Sequence, residues 1–230
     1  MPRRSTVLAN DQVYHVYNRT IDGKNVLRLK RDKDRAKNNL WYYRYQSPPI
    51  PLSRYLNLTE RQRVDYHDLL VKSKQGVEVY AYCLMDNHFH LLLKQLDEGG
   101  VSRYLANIQN SFTKFFNNKH KRKGALFLNQ FKAVRIETDE QLVHVSRYIH
   151  LNPLTGYLMR DMDELFQYSY TSLPEYLSRT TGSYSISNPQ EILAFFKNAE
   201  DYEKFVRDQV EYQRNLAKIK HLMFELEEGE

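Results

Sequence analysis

The sequence contains a single cysteine, Cys83. That excludes an internal disulfide framework and fits a reducing compartment. Cys83 itself reads as a small buried residue. No apolar run reaches the roughly 18 residues that a spanning helix needs, so no membrane segment is expected. The opening residues Met1-Pro2-Arg3-Arg4-Ser5 carry no apolar signal segment, and the expected location is cytoplasmic. There is no Gly-rich phosphate loop ending in Lys-Ser/Thr, no HExxH and no CxxC pair. Nothing local points to a Ser/His/Asp triad, although triads assemble across a fold. Internal repeats and low-complexity tracts are also missing.

What is present is an ordinary globular composition: 230 residues, 41% hydrophobic and 27% charged. That suffices for one large domain with an extension. The charge is uneven. Residues 1–135 hold 25 Lys and Arg against 11 Asp and Glu, a net of +14; residues 136–230 hold 9 against 17, a net of −8. A basic first part and 18 tyrosines suit a nucleic-acid partner, since cations neutralise phosphates and aromatic rings stack on bases. A solvated basic surface is the plainer alternative.

The most informative stretch is Tyr82-Cys83-Leu84-Met85-Asp86-Asn87-His88-Phe89-His90-Leu91-Leu92-Leu93. It reads as strand. Side chains alternate across a strand, so His88, His90 and Leu92 share one face, while Phe89, Leu91 and Leu93 share the other. Two imidazoles about 7 Å apart along a strand can reach one metal ion. A third ligand must then arrive; His15, Gln109 and Asn117 are candidates. Imidazole alone favours zinc, iron or copper over magnesium.

The rest of the chain falls into a βαββαβ order. Val13 to Asn18 reads as a first strand. The charged run from Lys30 leads into an aromatic end at Trp41-Tyr42-Tyr43, read as a short helix. Pro48, Pro49 and Pro51 make a loop. Thr59 caps a helix over about 60–74, with Val64, Leu69, Leu70 and Val71 expected inward. Val77 to Leu84 is the second strand, and His88 to Lys94 follows as a hairpin return or past a bulge. Val101, Tyr104, Leu105, Ile108, Phe112, Phe115 and Phe116 keep 3–4 spacing, the clearest helical stripe in the chain. This helix is expected to pack on the sheet that carries the histidines. Ala125 to Glu137 reads as a strand. Thr138 to Gln141 is a capping box for a helix that ends near His150, before Asn152-Pro153. Residues 161–187 read as loop, and Asn188-Pro189 opens a helical tail, interrupted near Asn198, with a frayed end at 227–230. The fold expected is α+β, a ferredoxin-like antiparallel sheet with helices on one face, and a C-terminal helical extension. Domain limits are set at 1–160 and 161–230.

Five pieces of sequence stand in a telling order: Tyr14-His15-Val16-Tyr17-Asn18-Arg19; Tyr82 to Leu92; Ser111-Phe112-Thr113-Lys114-Phe115-Phe116-Asn117; Gly124-Ala125-Leu126-Phe127 with Phe131-Lys132-Ala133; and Arg147-Tyr148-Ile149-His150-Leu151-Asn152-Pro153. Over roughly residues 12–173 the chain resembles the single-tyrosine HUH transposases of bacterial insertion sequences, above all the REP-associated tyrosine transposases. The resemblance implies that His88 and His90 form the HUH motif and bind Mg²⁺ or Mn²⁺ with one further group, for which Asn117 and His15 are the candidates. It implies a DNA strand transferase that acts on hairpin single-stranded DNA through a 5′-phosphotyrosine intermediate. It also implies a homodimer.

The resemblance places the nucleophilic tyrosine on the helix after the HUH strand, where this chain has Phe112. Three readings of that departure stand side by side: an engineered Tyr→Phe change, a natural inactive relative that only binds DNA hairpins, or a substitute nucleophile, Tyr104, two turns earlier. A second departure is Asn129-Gln130-Phe131-Lys132 in place of Gly-Arg-Phe-Lys, which removes an arginine. Arg19, Lys114, Lys119, Lys121, Arg122, Lys123, Lys132 and Arg135 remain as candidate phosphate contacts. Without the resemblance, the histidine pair reads as the centre of a zinc-dependent hydrolase.

Overall fold

The structure, a computed structural model, describes residues 6–179 and 185–210. Its centre is a four-stranded antiparallel sheet in the order β2-β3-β1-β4, built from β1 (Val13–Arg19), β2 (Val77–Leu84), β3 (His88–Gln95) and β4 (Lys132–Ile136). This is the ferredoxin-like arrangement expected. β2 and β3 form a hairpin, closed by the Met85 N–H donating to the His88 carbonyl at 2.9 Å. A bulge between Val79 and Ala81 lets Tyr80 and Ala81 both turn to one side.

Helices cover both faces, not one. On the first lie α1 (Lys30–Tyr43) and α4 (Gly100–His120), sharing a core with Tyr14, Val16, Leu84, Phe89, Leu91 and Leu93. On the second lies α5 (Asp139–Thr155), followed by the short helices α6 (Met162–Gln167), α7 (Leu173–Tyr176), α8 (Gln190–Leu193) and α9 (Ala199–Arg207). The region expected to be loop up to 187 thus contains two helical turns. Asn198, where the tail was expected to break, caps α9 by accepting from the Asp201 N–H at 2.8 Å. The rest of the tail, with the frayed end at 227–230, lies outside the described residues.

Two small helices complete the first layer: α2 (Leu52–Tyr55) and α3 (Glu60–Val71). Thr59 caps α3 in a reciprocal box with Gln62, as its position predicts. The inward face of α3 differs from expectation. Leu70 is buried, but Val64, Leu69 and Val71 are exposed. Aromatic packing sets the rotation: His67 stacks on Trp41 at 5.5 Å, and the Tyr66 hydroxyl meets that of Tyr42 at 3.0 Å. Residues 66, 67 and 70 follow helical spacing, so they face in together.

Two further boundaries move. The strand expected over 125–137 is limited to β4, because Leu126 and Phe127 turn inward beneath α4, with an isolated bridge between Phe127 and Thr20 just past β1. The helix expected to end near His150 continues to Thr155, with Pro153 accommodated inside its last turn and Gly156 closing it through the Asn152 carbonyl. That extra turn keeps Tyr148 and Asn152 on one helical face.

Candidate active site

The pairing of β1 with β3 sets Tyr17 opposite His90, His15 opposite Leu92 and Arg19 opposite His88. Alternation then gathers His15, Tyr17, Arg19, His88 and His90 on the second face of the sheet. His15 Nε2 lies 3.0 Å from His90 Nδ1, with the rings stacked 5.2 Å apart. His88 Nδ1 lies 2.6 Å from Asn87 Oδ1. An amide oxygen only accepts, so His88 donates from Nδ1 and keeps the lone pair on Nε2. His90 has the same option when its Nδ1 donates to His15. Both rings then offer Nε2 outward, each oriented by a partner behind it.

Burial holds these rings neutral. It pushes His15 down to about 4. It pushes His90 well below the usual imidazole range, helped by the neighbouring His15 and His88. His88 is lowered by burial and by the Arg19 charge, opposed by its side-chain contact with Asn152 and by the charge of Asp86. Neutral imidazole is the form that ligates metal.

Helix α5 closes the site from above. The Tyr148 ring stands edge-on to His90 at 5.6 Å and to His15 at 5.8 Å. It is 36% exposed, open to a ligand. One turn on, the buried Asn152 donates to the Tyr148 carbonyl at 3.0 Å and reaches His88 with its side chain. Tyr17 lies flat beside His90 at 5.5 Å. Exposed Arg19 and Lys132 flank the group, Lys132 opposite Tyr17 in the β1–β4 register.

A buried network anchors α5. His150 contacts the Tyr202 hydroxyl at 2.8 Å through Nδ1 and Ser172 Oγ at 2.7 Å through Nε2. Tyr202 also meets Ser146 at 2.9 Å. Arg147 stacks on Phe205 at 3.9 Å and donates to its carbonyl. The C-terminal helices therefore fix the rotation of α5, which decides where Tyr148 points.

Among the described residues no three His, Cys, Asp or Glu side chains converge as a metal group. His15 does not complete a triad, because its Nε2 is turned onto His90. The donor set that fits is two imidazoles with the Asn152 amide. The imidazoles suit a borderline transition-metal ion, while the amide oxygen, and the water and phosphate oxygens for which positions are left, are hard donors.

The other expected residues lie elsewhere. Phe112 is buried on the first face among Phe89, Phe127, Leu84 and Leu27, across the sheet from both histidines. Phe89 alternates with His88 and His90, so whatever packs on Phe89 is turned away from the imidazoles. Tyr104 is also on that face, with its hydroxyl donating to the Leu40 carbonyl at 2.9 Å and its ionisation opposed by burial. Asn117 closes the loop after α4, donating to the Gly124 carbonyl and accepting from Arg122. Gln109 binds Asn18 on the first face. Lys119 is held by Asp32 at 2.7 and 2.9 Å, and Arg122 folds back onto its own loop. Lys114, Lys121 and Lys123 are exposed along or just after α4; Arg135 is turned to the first face, bound to Gln12.

Phe112 and Tyr104 thus lie on the face of the sheet opposite the histidines. Tyr148 and Asn152 stand i, i+4 in the last of the five motifs, and that spacing puts a phenol and an amide on one helical face.

An α+β sandwich with paired imidazoles on a central strand and a phenol above them brings candidate metal ligands beside a candidate nucleophile. Residues 50–152 match the family model described as Transposase IS200 like. Over this segment the chain is similar to the IS200-like transposases. A solved structure of a REP-associated tyrosine transposase bound to a REP hairpin shares the fold, with a TM-score of 0.52 and 13% sequence identity over 82% of this chain and 91% of that one. No curated protein sequence matches the chain. No helix among the described residues is long and apolar enough to cross a membrane.

Proposed function

We propose that the chain cuts and rejoins hairpin-bearing single-stranded DNA through a covalent tyrosine intermediate, with Tyr148 as nucleophile. The observation that carries this reading is the edge-on placement of a partly exposed Tyr148 over His90, on a helix that also brings Asn152 to His88. The Tyr148 oxygen attacks the scissile phosphorus. A phosphorus–phenol bond forms and the bond to the 3′-oxygen breaks, giving a 5′-phosphotyrosine and a free 3′-hydroxyl. The phenol proton passes to solvent and the departing oxygen takes one back. One phosphodiester replaces another, so rejoining needs no external energy source.

His88, His90 and Asn152 would hold Mg²⁺ or Mn²⁺. When bound, the ion polarises the phosphate and neutralises charge developing on it. Asn87 and His15 orient the two ligating rings. Arg19 and Lys132 attract and align the DNA backbone. The buried network around His150 and Tyr202 holds Tyr148 in line. Phe112 contributes packing alone, so neither an engineered substitution nor an inactive relative is needed to explain it. A homodimer acting in the cytoplasm completes the proposal, checked by light scattering of the DNA-bound protein.

The test is a denaturing gel of the protein with labelled hairpin DNA and Mn²⁺. The wild-type chain forms a covalent adduct, Tyr148→Phe forms none, and Phe112→Tyr behaves as wild type. An adduct that survives in Tyr148→Phe rejects the assignment. Stoichiometric zinc after mild purification, with hydrolysis and no adduct at any stage, would instead favour the hydrolase reading.

A further inference from the structure

On the side of the molecule away from the histidines, α1 and α4 enclose an open groove of about 700 Å³. One wall is a polar stripe along α4. Asn107, Asn110, Lys114 and Asn118 follow 3–4 spacing, and the eleven helical rises between the first and the last cover about 16 Å. The other wall is α1, where Arg31 and Arg35 stand i, i+4. Phe115 lies between them, with the Arg35 guanidinium 5.4 Å and the Arg31 guanidinium 6.0 Å from its ring.

The charge in this groove is unbalanced. No Asp or Glu among the described residues lines it. The nearest acidic residues of α1 are committed: Asp32 is buried against Lys119, and Asp34 is held by Lys30 and the Tyr170 hydroxyl. Arg35 is 9% exposed, yet among the described residues its one hydrogen bond runs from Nη2 to Ser111 Oγ at 3.3 Å, and its Nε has no partner there. A buried cation without a counter-ion is costly. An anion bound in the groove would supply what the fold omits.

We infer that this groove is a second nucleic-acid site, taking the phosphodiester backbone of a DNA segment other than the one at Tyr148. The inference rests on the nucleic-acid reading above, but not on the cleavage chemistry. A stripe of about 16 Å spans several phosphates of one strand, which rise about 3.4 Å each along a duplex axis. A polyanion is therefore better matched than a single phosphate. The asparagine amides donate to phosphate and sugar oxygens, and Phe115 and Tyr43 offer faces for unstacked bases.

The experiment is fluorescence anisotropy with a labelled DNA hairpin carrying a single-stranded flank, across a salt series. Tyr148→Phe serves as the parent, so no covalent product forms. Arg31→Gln with Lys114→Gln, both at exposed positions, is compared with Arg35→Gln, and melting curves confirm that each variant folds. The double variant is expected to bind more weakly, with the slope of log affinity on log salt reduced by about two, one for each lost phosphate contact. Unchanged affinity and slope in the double variant, with the parent binding DNA tightly, overturns the second site and leaves the proposed function standing. A parent that binds no DNA overturns both. Polyglutamate of equal charge competing as well as single-stranded DNA would overturn the nucleic-acid assignment in favour of an acidic protein.

Discussion

The two faces of the sheet are made from the same strands and do opposite work. Toward α1 and α4, β1 and β3 present Tyr14, Val16, Phe89, Leu91 and Leu93, all buried in a continuous core. Toward α5 they present His15, Tyr17, His88 and His90, with the Nδ1 atoms of His88 and His90 paired and Tyr148 partly exposed above them. Each face has a tyrosine on a helix above it. Tyr104 is sealed in, with its hydroxyl spent on a backbone carbonyl. Tyr148 is partly exposed and lies T-shaped against both imidazoles. A nucleophile needs access and electrostatic company, and only the second face offers them.

The sharpest way to break this comparison is to exchange the roles of the two faces by mutation. Tyr148→Phe should lower the rate of DNA cleavage by about 10⁴-fold or more, as expected for removal of a covalent nucleophile. Its melting temperature should hardly change, since a partly exposed hydroxyl contributes little to stability. Phe112→Ala should do the reverse. Emptying that core site costs about 3–5 kcal/mol, read by denaturant titration, while adduct yield per folded molecule stays intact.

Asn152→Ala sharpens the account of the ion. It should raise the Mn²⁺ concentration needed for half-maximal adduct formation by about 10–100-fold, the usual effect of weakening a metal's surroundings. Loss of activity that no Mn²⁺ concentration restores would make Asn152 a structural residue only.

The smallest effect expected is a pH dependence of stability from His150, which burial pushes down to about 3. The unfolded chain takes up this proton near 6.5, the folded chain only near 3. Between those values the unfolded state binds more protons, so stability falls as pH drops through the window and levels off below it. His150→Gln should flatten that part of a plot of metal-free melting temperature against pH.

Much of the fold is legible in local signals. Thr59 and Thr138 mark helix starts by their capping chemistry, and both side chains accept from the expected backbone N–H groups. The 3–4 stripe of α4 identifies that helix, and alternation in β3 separates Phe89 from the histidines. What local pattern does not carry is which side of the sheet a helix will cover. The stripe says that α4 must pack on something apolar. The apolar side of β3 is the side without histidines, and that inference was available from alternation alone. α5 was harder to read, because Asn152-Pro153 suggests a stop, whereas tertiary contacts with Tyr202 and Ser172 hold the helix through it. The site depends on that one additional turn. Likewise, Val64, Leu69 and Val71 are apolar enough to suggest burial, and only the Trp41–His67 stack decides the rotation of α3.

The most direct test of the central claim is to map the covalent linkage. The protein is trapped with hairpin DNA and Mn²⁺, digested with trypsin and nuclease, and the nucleotide-bearing peptide is sequenced by mass spectrometry. The account predicts modification at Tyr148, in the peptide that follows Arg147. Modification at Tyr104, Tyr17 or any other tyrosine would contradict it.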